Sequence, residues 1–223
     1  MQIITSTIRF PEIPLETRDG HKLRGYFGNL FKEHSLLLHN HFETGESAFQ
    51  YPLVQYKVIN KIPILIGISE GAELLTSLFL RIKELKIGDK YYVINYKNIE
   101  NKKTDIGVKD DLFKYKFETN WFGLNQKNHL IYKQLEKEKD SNAIVELFKN
   151  ILKGNILSFY KYVNYMELSR INIMPELTDA GYAKFKNIDM KVFKGAFTAN
   201  VALPDLIGLG KSVSRGFGTI SKI

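Results

Sequence analysis

The chain has 223 residues, of which 44% are hydrophobic, so it can bury one large core or the cores of two domains of about 110 residues each. It contains no cysteine, which excludes disulfides, thiolate metal sites and cysteine nucleophiles. Lysine and arginine total 32 against 24 acidic residues, and the formal net charge of +8 favours a polyanionic partner such as a nucleic acid.

No stretch has the features of a targeting or membrane segment. The N-terminal residues lack a basic region followed by an apolar run. The longest apolar stretch, residues 62–68, is far shorter than the ~18 residues of a membrane helix. We therefore expect a cytoplasmic protein that does not enter a membrane.

Residues 2–96 predict six elements in the order β-α-β-β-α-β. β-Branched residues alternate along the first run, and apolar residues recur at helical spacing from Leu23 to Leu30. Two β-rich runs separated by Asn60 and Lys61 predict a hairpin. The predicted elements are strands over 2–10, 53–59, 62–68 and 91–96, a helix over 22–33, and a helix that Ser69 caps and that closes near Gly88. This order is that of a ferredoxin-like domain.

Residues 98–111 are polar and charged, and we interpret residues 101–111 as a linker between domains 1–100 and 112–223. The second half predicts strands over 113–122, 168–174, 190–198 and 217–220, helices over 128–138 and 141–152, and a short helical segment over 202–206. The predicted fold class is therefore α+β, with two tandem ferredoxin-like (RRM-like) β-α-β-β-α-β domains.

The 11-residue segment 208–218 is the most specific stretch of the chain. Its four glycines allow positive φ angles and close backbone approach. Lys211 and Arg215 add cations, Ser212 and Ser214 add hydroxyl donors, and successive amides in such a loop can form an anion-binding nest. A structural turn before the last strand is the alternative interpretation.

A nucleotide-binding interpretation of the same segment fails on its context. Gly210, Lys211 and Ser212 match the end of a P-loop, but the first glycine of that motif is absent and too few residues follow for its helix and strand. The dinucleotide fingerprint needs a strand, a tight turn and a helix, which this segment lacks.

The segment 208–218 fits the pattern G-x-G-K-S-x-x-x-G-F-G over its whole length. Together with residues 21–27 and the predicted strand at residues 51–57, it resembles the CRISPR repeat-processing endoribonucleases of the repeat-associated mysterious protein superfamily. Among these, the archaeal-type subgroup is the most similar. The resemblance reaches nearly the whole chain, but over residues 98–161 it rests on the pattern of elements alone.

The resemblance implies tandem ferredoxin-like folds, a basic surface for CRISPR repeat RNA, and cleavage of precursor RNA within the repeat without a metal or other cofactor. In this family, attack by a 2′-hydroxyl leaves a 5′-hydroxyl and a cyclic phosphate, and the products are guide RNAs. A CRISPR effector complex is a further partner that the resemblance suggests. A monomer and a homodimer both stay open.

Two of the five histidines, His39 and His41, flank a single residue between the first predicted helix and the hairpin. Metal-free RNA cleavage needs a base for the 2′-hydroxyl proton and an acid for the leaving 5′-oxygen, and imidazole titrates near neutral pH. In an extended segment both rings would point to the same side. The pattern alone also occurs in ordinary polar loops, but the family that the chain resembles carries its catalytic histidines after the first helix.

A metal site is the other interpretation of the His-x-His pattern. It lacks an evident third ligand unless Glu43 or Glu46 serves, so we predict no metal.

Two further residues complete the predicted catalytic set. Tyr51, at the start of a strand that resembles the family, would orient the nucleophile or donate a proton, although a tyrosine in a strand is equally ordinary. Lys32, about two helical turns before His39, would stabilise the charged phosphorane, unless it is only a solvated helix residue.

The predicted RNA contacts are basic residues and residues of the glycine-rich segment. Arginine is suited to this role because it pairs bidentately with phosphate or a guanine edge. The predicted RNA-binding residues are Lys22, Arg24, Arg170, Gly208, Gly210, Lys211, Ser212, Ser214, Arg215 and Gly216. A repeat-RNA-binding module that does not cut is the alternative function, since a fold does not fix an activity.

Overall fold

A computed structural model describes residues 1–30, 51–185 and 188–223. The chain forms two compact units that do not follow its sequence order. Unit 1 comprises Met1–Asp105 and Val213–Gly216, and unit 2 comprises Ile106–Ser212 and Phe217–Ile223. Four residues of the glycine-rich segment therefore belong to the N-terminal unit.

Unit 1 has the predicted β-α-β-β-α-β order with one added hairpin. Its elements are β1 (Gln2–Arg9), a 3₁₀ turn (Thr17–Asp19), α1 (Gly20–Leu30), β2 (Val54–Ile59), β3 (Ile62–Ile68), α2 (Glu70–Leu78), β4 (Glu84–Ile87), β5 (Lys90–Val93) and β6 (Asn98–Asp105). Four strands form an antiparallel sheet in the ferredoxin-like order β2-β3-β1-β6. Asn60 and Lys61 join β2 to β3 with φ angles of 50° and 65°, as in a type I′ turn, which confirms the predicted hairpin.

The prediction of a linker over residues 101–111 is wrong. β6 pairs with β1 from Gln2 opposite Asp105 to Arg9 opposite Asn98, and the next strand begins at Gly107. Because β6 lies at the edge of the sheet, its charged side chains reach water without preventing the pairing. Of the last strand predicted for this half, residues 91–96, only residues 91–93 form a strand, and they lie in the separate hairpin of β4 and β5.

The turn from β3 into α2 is tightly packed. Ser69 precedes α2 with a φ of 52°. The prediction that Ser69 caps this helix is wrong, because its side chain makes no capping hydrogen bond. A Cβ atom on Gly67 would lie 2.2 Å from the Gly71 carbonyl oxygen, and one on Gly71 would lie 2.2 Å from the Leu53 carbonyl oxygen. Only glycine fits at these two positions.

We expect Gly71→Ala to lower the free energy of unfolding by about 1–3 kcal/mol, because the added methyl group must push the backbone of Leu53 away. Urea denaturation followed by circular dichroism measures the change. Gly25→Ala in α1 is the matched control: a Cβ there meets nothing within 4 Å, so alanine should raise stability by about 0.5–1 kcal/mol. Equal midpoints for Gly71→Ala and the wild type would contradict the tight packing.

Unit 2 builds a second antiparallel sheet with both helices after its first strand. Its elements are β7 (Gly107–Phe117), α3 (Gln126–Glu138), α4 (Ser141–Tyr162), β8 (Ile173–Phe185), β9 (Ile188–Ala202) and β10 (Ile220–Lys222). The strand order β10-β7-β9-β8 is again ferredoxin-like. The side chain of Asn125 accepts a hydrogen bond from the Asn128 amide (2.7 Å), and that of Asp140 accepts one from the Ala143 amide (2.9 Å), which fixes where the two helices begin.

The prediction of a short helix over residues 202–206 is wrong. β9 continues to Ala202, and Pro204 disfavours a helical conformation of the residue before it. α4 is also longer than predicted, since it ends at Tyr162 rather than at Leu152. Within the described part of unit 2, no helix therefore connects the third strand to the fourth.

Each unit has its own aromatic core. In unit 1, Phe27 of α1 stacks on Phe10 and Tyr56, with ring centroids 6.3 and 5.9 Å apart. In unit 2, Trp121 and Phe193 are both buried, with their ring centroids 6.0 Å apart. Across the described ranges of the chain, no helix is long and apolar enough to span a membrane.

Candidate functional site

The glycine-rich segment is divided between the two units. Residues 213–216 lie in unit 1, against the first turn of α1 and the edge strand β2. A Cβ atom on Gly20 would lie 2.7 Å from the Arg215 carbonyl oxygen, and one on Gly216, whose φ is 94°, would lie 3.2 Å from the Tyr56 carbonyl oxygen. Glycine at both positions allows these backbones to approach each other closely.

Two arginines are neighbours at this place. Arg24 belongs to α1, and Arg215 ends the 3₁₀ turn Val213–Arg215. Burial lowers the pKa of Arg24, the charge of Arg215 lowers it further, and Tyr56 raises it. Among the residues that the structure describes, no carboxylate forms a salt bridge with Arg24. Two neighbouring guanidinium groups favour a bound anion such as a phosphate.

A buried phenol interacts with Arg24. The hydroxyl of Tyr56 is shielded from solvent and has no hydrogen-bond partner in the described part of the chain. Burial raises the pKa of Tyr56, although the charge of Arg24 lowers it. The phenol is therefore neutral at physiological pH.

Lys57 is a feature that the sequence patterns did not single out. It is completely buried on β2, where its Nζ donates a 2.9 Å hydrogen bond to Gln55 Oε1. Gln55 in turn donates to the Pro52 carbonyl oxygen at 3.1 Å. Burial lowers the pKa of Lys57 to about 7. The only signal in the sequence was a lysine inside an apolar strand, and strongly shifted groups of this kind are concentrated at functional sites.

Two side chains at the start of α1 already have partners, and one of them is the predicted RNA contact Lys22. Lys22 forms a 2.8 Å salt bridge with Asp19, and the Nδ1 atom of His21 lies 2.7 Å from the Arg18 carbonyl oxygen. Burial raises the pKa of Asp19, but hydrogen bonds from Lys22 and from the Glu16 amide outweigh it, so the pKa is lowered. Both side chains are exposed, and Lys22 is partly neutralised.

The glycine-rich residues of unit 2 pack against Phe122. A Cβ atom on Gly210 would lie 2.7 Å from the Phe122 carbonyl oxygen, which accepts a 2.8 Å hydrogen bond from the Lys211 amide. The Lys211 ammonium lies 5.6 Å from the centre of the Phe122 ring, and burial lowers its pKa. Ser212 follows with a φ of 57°. This part of the segment is therefore a tight structural turn.

The prediction of an anion-binding nest is wrong for four amides of the segment. Those of Leu209, Lys211, Gly216 and Gly218 each donate to a backbone carbonyl group of the protein. Gly208 is also engaged, because it forms a β-bridge with Thr219. These four amides are satisfied internally, so the cations and hydroxyls of the segment are its stronger candidates for contact with a ligand.

Most of the predicted catalytic set, Lys32, His39 and His41, lies outside the described residues. Tyr51 is described, and it is buried immediately before β2 in unit 1. Arg170 is exposed in unit 2 between α4 and β8, where its carbonyl oxygen accepts a 3.0 Å hydrogen bond from Asn200. The structure thus brings together Arg24 and Arg215 of the predicted RNA contacts.

Each half of the chain matches known proteins. Residues 1–105 match the family model of the Cas6b N-terminal domain, and residues 107–223 match that of the Cas6b C-terminal domain. The protein in one crystal structure of Cas6b is 36% identical to this chain, with a TM-score of 0.92. The protein in a crystal structure of the CRISPR RNA processing endoribonuclease Cas6b is 33% identical, with a TM-score of 0.77. Each comparison covers 100% of both chains.

Two further comparisons extend this finding. An uncharacterized protein of Methanocaldococcus jannaschii is 35% identical over 148 residues, which are 66% of this chain and 97% of that protein. Csf5, a type IV Cas6 crRNA endonuclease, is 12% identical with a TM-score of 0.55 and covers 99% of this chain and 98% of its own, which shows a shared fold alone. With both of its halves matched by the family models, the chain belongs to the Cas6b family.

Proposed function

We propose that this protein is an endoribonuclease that cuts CRISPR precursor RNA within the repeat and thereby produces guide RNAs. The observation that carries the proposal is the packing of Arg215 against the first turn of α1, which makes it a neighbour of Arg24, so that the two can offer cations to one phosphate of an RNA. Membership of the Cas6b family supports it, since a similar structure is that of a CRISPR RNA processing endoribonuclease. The net charge of +8 agrees with a polyanionic substrate.

The proposed reaction needs no metal. One histidine of the pair His39 and His41 takes the proton of a 2′-hydroxyl, whose oxygen attacks the adjacent phosphorus. The bond from phosphorus to the 5′-oxygen breaks, and the other histidine gives that oxygen a proton. The products are a 2′,3′-cyclic phosphate and a 5′-hydroxyl. Lys32 stabilises the added negative charge, and Tyr51 orients the reacting groups.

Cleavage of a labelled CRISPR-repeat RNA in the presence of EDTA tests the proposed function. We expect a single cut within the repeat, and a product that kinase labels at its 5′ end without prior phosphatase treatment. Tight binding without any cut would instead support a module that only holds repeat RNA for a CRISPR effector complex. Cleavage that EDTA abolishes would contradict the metal-free reaction.

We expect Arg24→Ala and Arg215→Ala each to weaken repeat-RNA binding by about 10- to 100-fold, because each removes a charge-assisted hydrogen bond to phosphate. The slope of log affinity against log salt should fall by about one for each variant. Lys149→Ala is the matched control, since it removes one positive charge from an exposed residue of α4 that is paired with Glu146. Equal losses in all three variants would mean that only net charge matters.

A further inference from the structure

The hairpin of β4 and β5 is an addition to unit 1, outside its four-stranded sheet. Its inner face is anchored, because Leu85 and Ile87 are buried in the core of the unit. Tyr26 of α1 donates a 2.9 Å hydrogen bond from its hydroxyl to the Glu84 carbonyl oxygen. The hairpin is therefore a fixed surface rather than a loose loop.

The outer face of this hairpin presents an aromatic ring beside a cation. Lys86 and Tyr91 are directly opposite each other on the two strands, with the ammonium 5.0 Å from the centre of the ring. Tyr91 is 62% exposed, and Val93 on the same face is 74% exposed. An unpaired base can stack on a solvent-facing ring of this kind, and long lysine side chains can turn to reach its phosphates.

The net charge around the hairpin is positive. Residues 81–97 contain five basic residues and two acidic ones. Lys83 and Lys97 are close enough for the charge of Lys83 to help lower the pKa of Lys97, after the larger effect of burial. Lys86 has no salt-bridge partner among the described residues. A net positive surface favours a polyanion over a neutral or basic partner.

Another exposed tyrosine lies beside a lysine whose charge is neutralised within the protein. Tyr182 in unit 2 also has an ammonium over its ring, that of Lys191 at 4.9 Å, and is 58% exposed. Lys191, however, forms a salt bridge with Asp179, so its charge is neutralised within the protein. The two sites match in exposure and ring geometry and differ in charge.

We propose that the outer face of the β4–β5 hairpin is a second RNA-binding surface, on which a single-stranded segment beside the repeat stacks a base on Tyr91 and sets its phosphates against Lys86. The identity of this RNA as the flank of a repeat rests on the proposed function. The capacity of the surface to bind single-stranded RNA does not.

Fluorescence anisotropy with a labelled 12-nucleotide oligouridine tests the surface without using a repeat. We expect Tyr91→Ala to weaken its binding about 5- to 50-fold, and Lys86→Ala to weaken it about fivefold, while Tyr91→Phe binds as the wild type does. Tyr182→Ala is the matched control and should leave the affinity unchanged. Equal melting temperatures establish that the variants remain folded.

A second pair of probes places the surface beside the repeat. Repeat RNA with a ten-nucleotide single-stranded extension should bind the wild type more tightly than bare repeat RNA, and Tyr91→Ala should remove that difference. An unchanged oligouridine affinity in Tyr91→Ala would overturn the proposal. So would full affinity in Tyr91→Leu, because an apolar contact without stacking indicates a protein-docking surface. If oligouridine binding depends on Tyr91 but repeat RNA is never cut, the proposed function fails and the second surface stands.

Discussion

Replacing His39 or His41 by alanine is expected to slow cleavage of repeat RNA by about 10²–10⁴-fold, the usual contribution of general acid–base catalysis. The reaction needs both a base and an acid, so either loss leaves one proton transfer to water. Single-turnover rates in EDTA, with enzyme in excess over labelled RNA, measure this effect without interference from product release. RNA affinity should change little, because neither imidazole is proposed as a principal phosphate contact.

The pH dependence of the same reaction adds an independent check. With one neutral and one protonated imidazole required, the wild-type rate should follow a bell-shaped profile, and each single variant should lose one of its limbs. His21→Ala is the control: this exposed imidazole lies 2.7 Å from the Arg18 carbonyl oxygen, and its loss should cost less than about threefold. Wild-type rates in both His39→Ala and His41→Ala would remove the assignment.

Replacing the buried Lys57 by methionine is expected to stabilise the protein by about 3 kcal/mol at pH 6. Burial lowers the pKa of this lysine from 10.5 to about 7, which corresponds to about 5 kcal/mol of penalty on the protonated folded state. Methionine removes that penalty together with the hydrogen bond to Gln55 Oε1, whose loss costs about 1–2 kcal/mol. Urea denaturation of both proteins measures the difference.

The sign of the pH dependence follows from where each state releases its proton. The folded protein releases the Lys57 proton near pH 7, and the unfolded chain retains it up to about pH 10.5. Between these values the unfolded state binds more protons, so wild-type stability rises with pH by up to about 1.4 kcal/mol per pH unit. The advantage of Lys57→Met should therefore be complete at pH 6 and shrink steadily toward pH 9. The control Lys153→Met, at an exposed position of α4, should show no such trend with pH. A stability gain for Lys57→Met that stays constant from pH 6 to pH 9 would contradict a lowered pKa of Lys57.

Local patterns in the sequence were sufficient for much of unit 1. Alternation and helical spacing located β1 and α1, and β-rich runs located the β2–β3 hairpin, because the buried faces of these elements select apolar residues. The same rule failed for β6, whose pairing with β1 depends on backbone hydrogen bonds at an edge and not on an apolar face. The rule also failed for residues 84–87, which it assigned to a helix although they form β4.

The candidate site was predictable in composition but not in arrangement. The resemblance selected Arg24 and Arg215, yet no local pattern could show that they are neighbours, because 190 residues separate them in the sequence. Lys57 escaped for a related reason: a lysine in a strand is ordinarily assigned to the exposed face, and only the three-dimensional structure shows that it is buried.

The division of the glycine-rich segment has a consequence for synthesis on the ribosome. Val213–Gly216 completes unit 1, but these residues are translated more than a hundred residues after Asp105. A nascent chain that already contains β1 to β6 therefore lacks two things: the backbone that packs beside Tyr56, and Arg215, the second arginine of the pair. The arginine pair forms only after nearly all of unit 2 has been made, so a truncated translation product cannot present it to RNA.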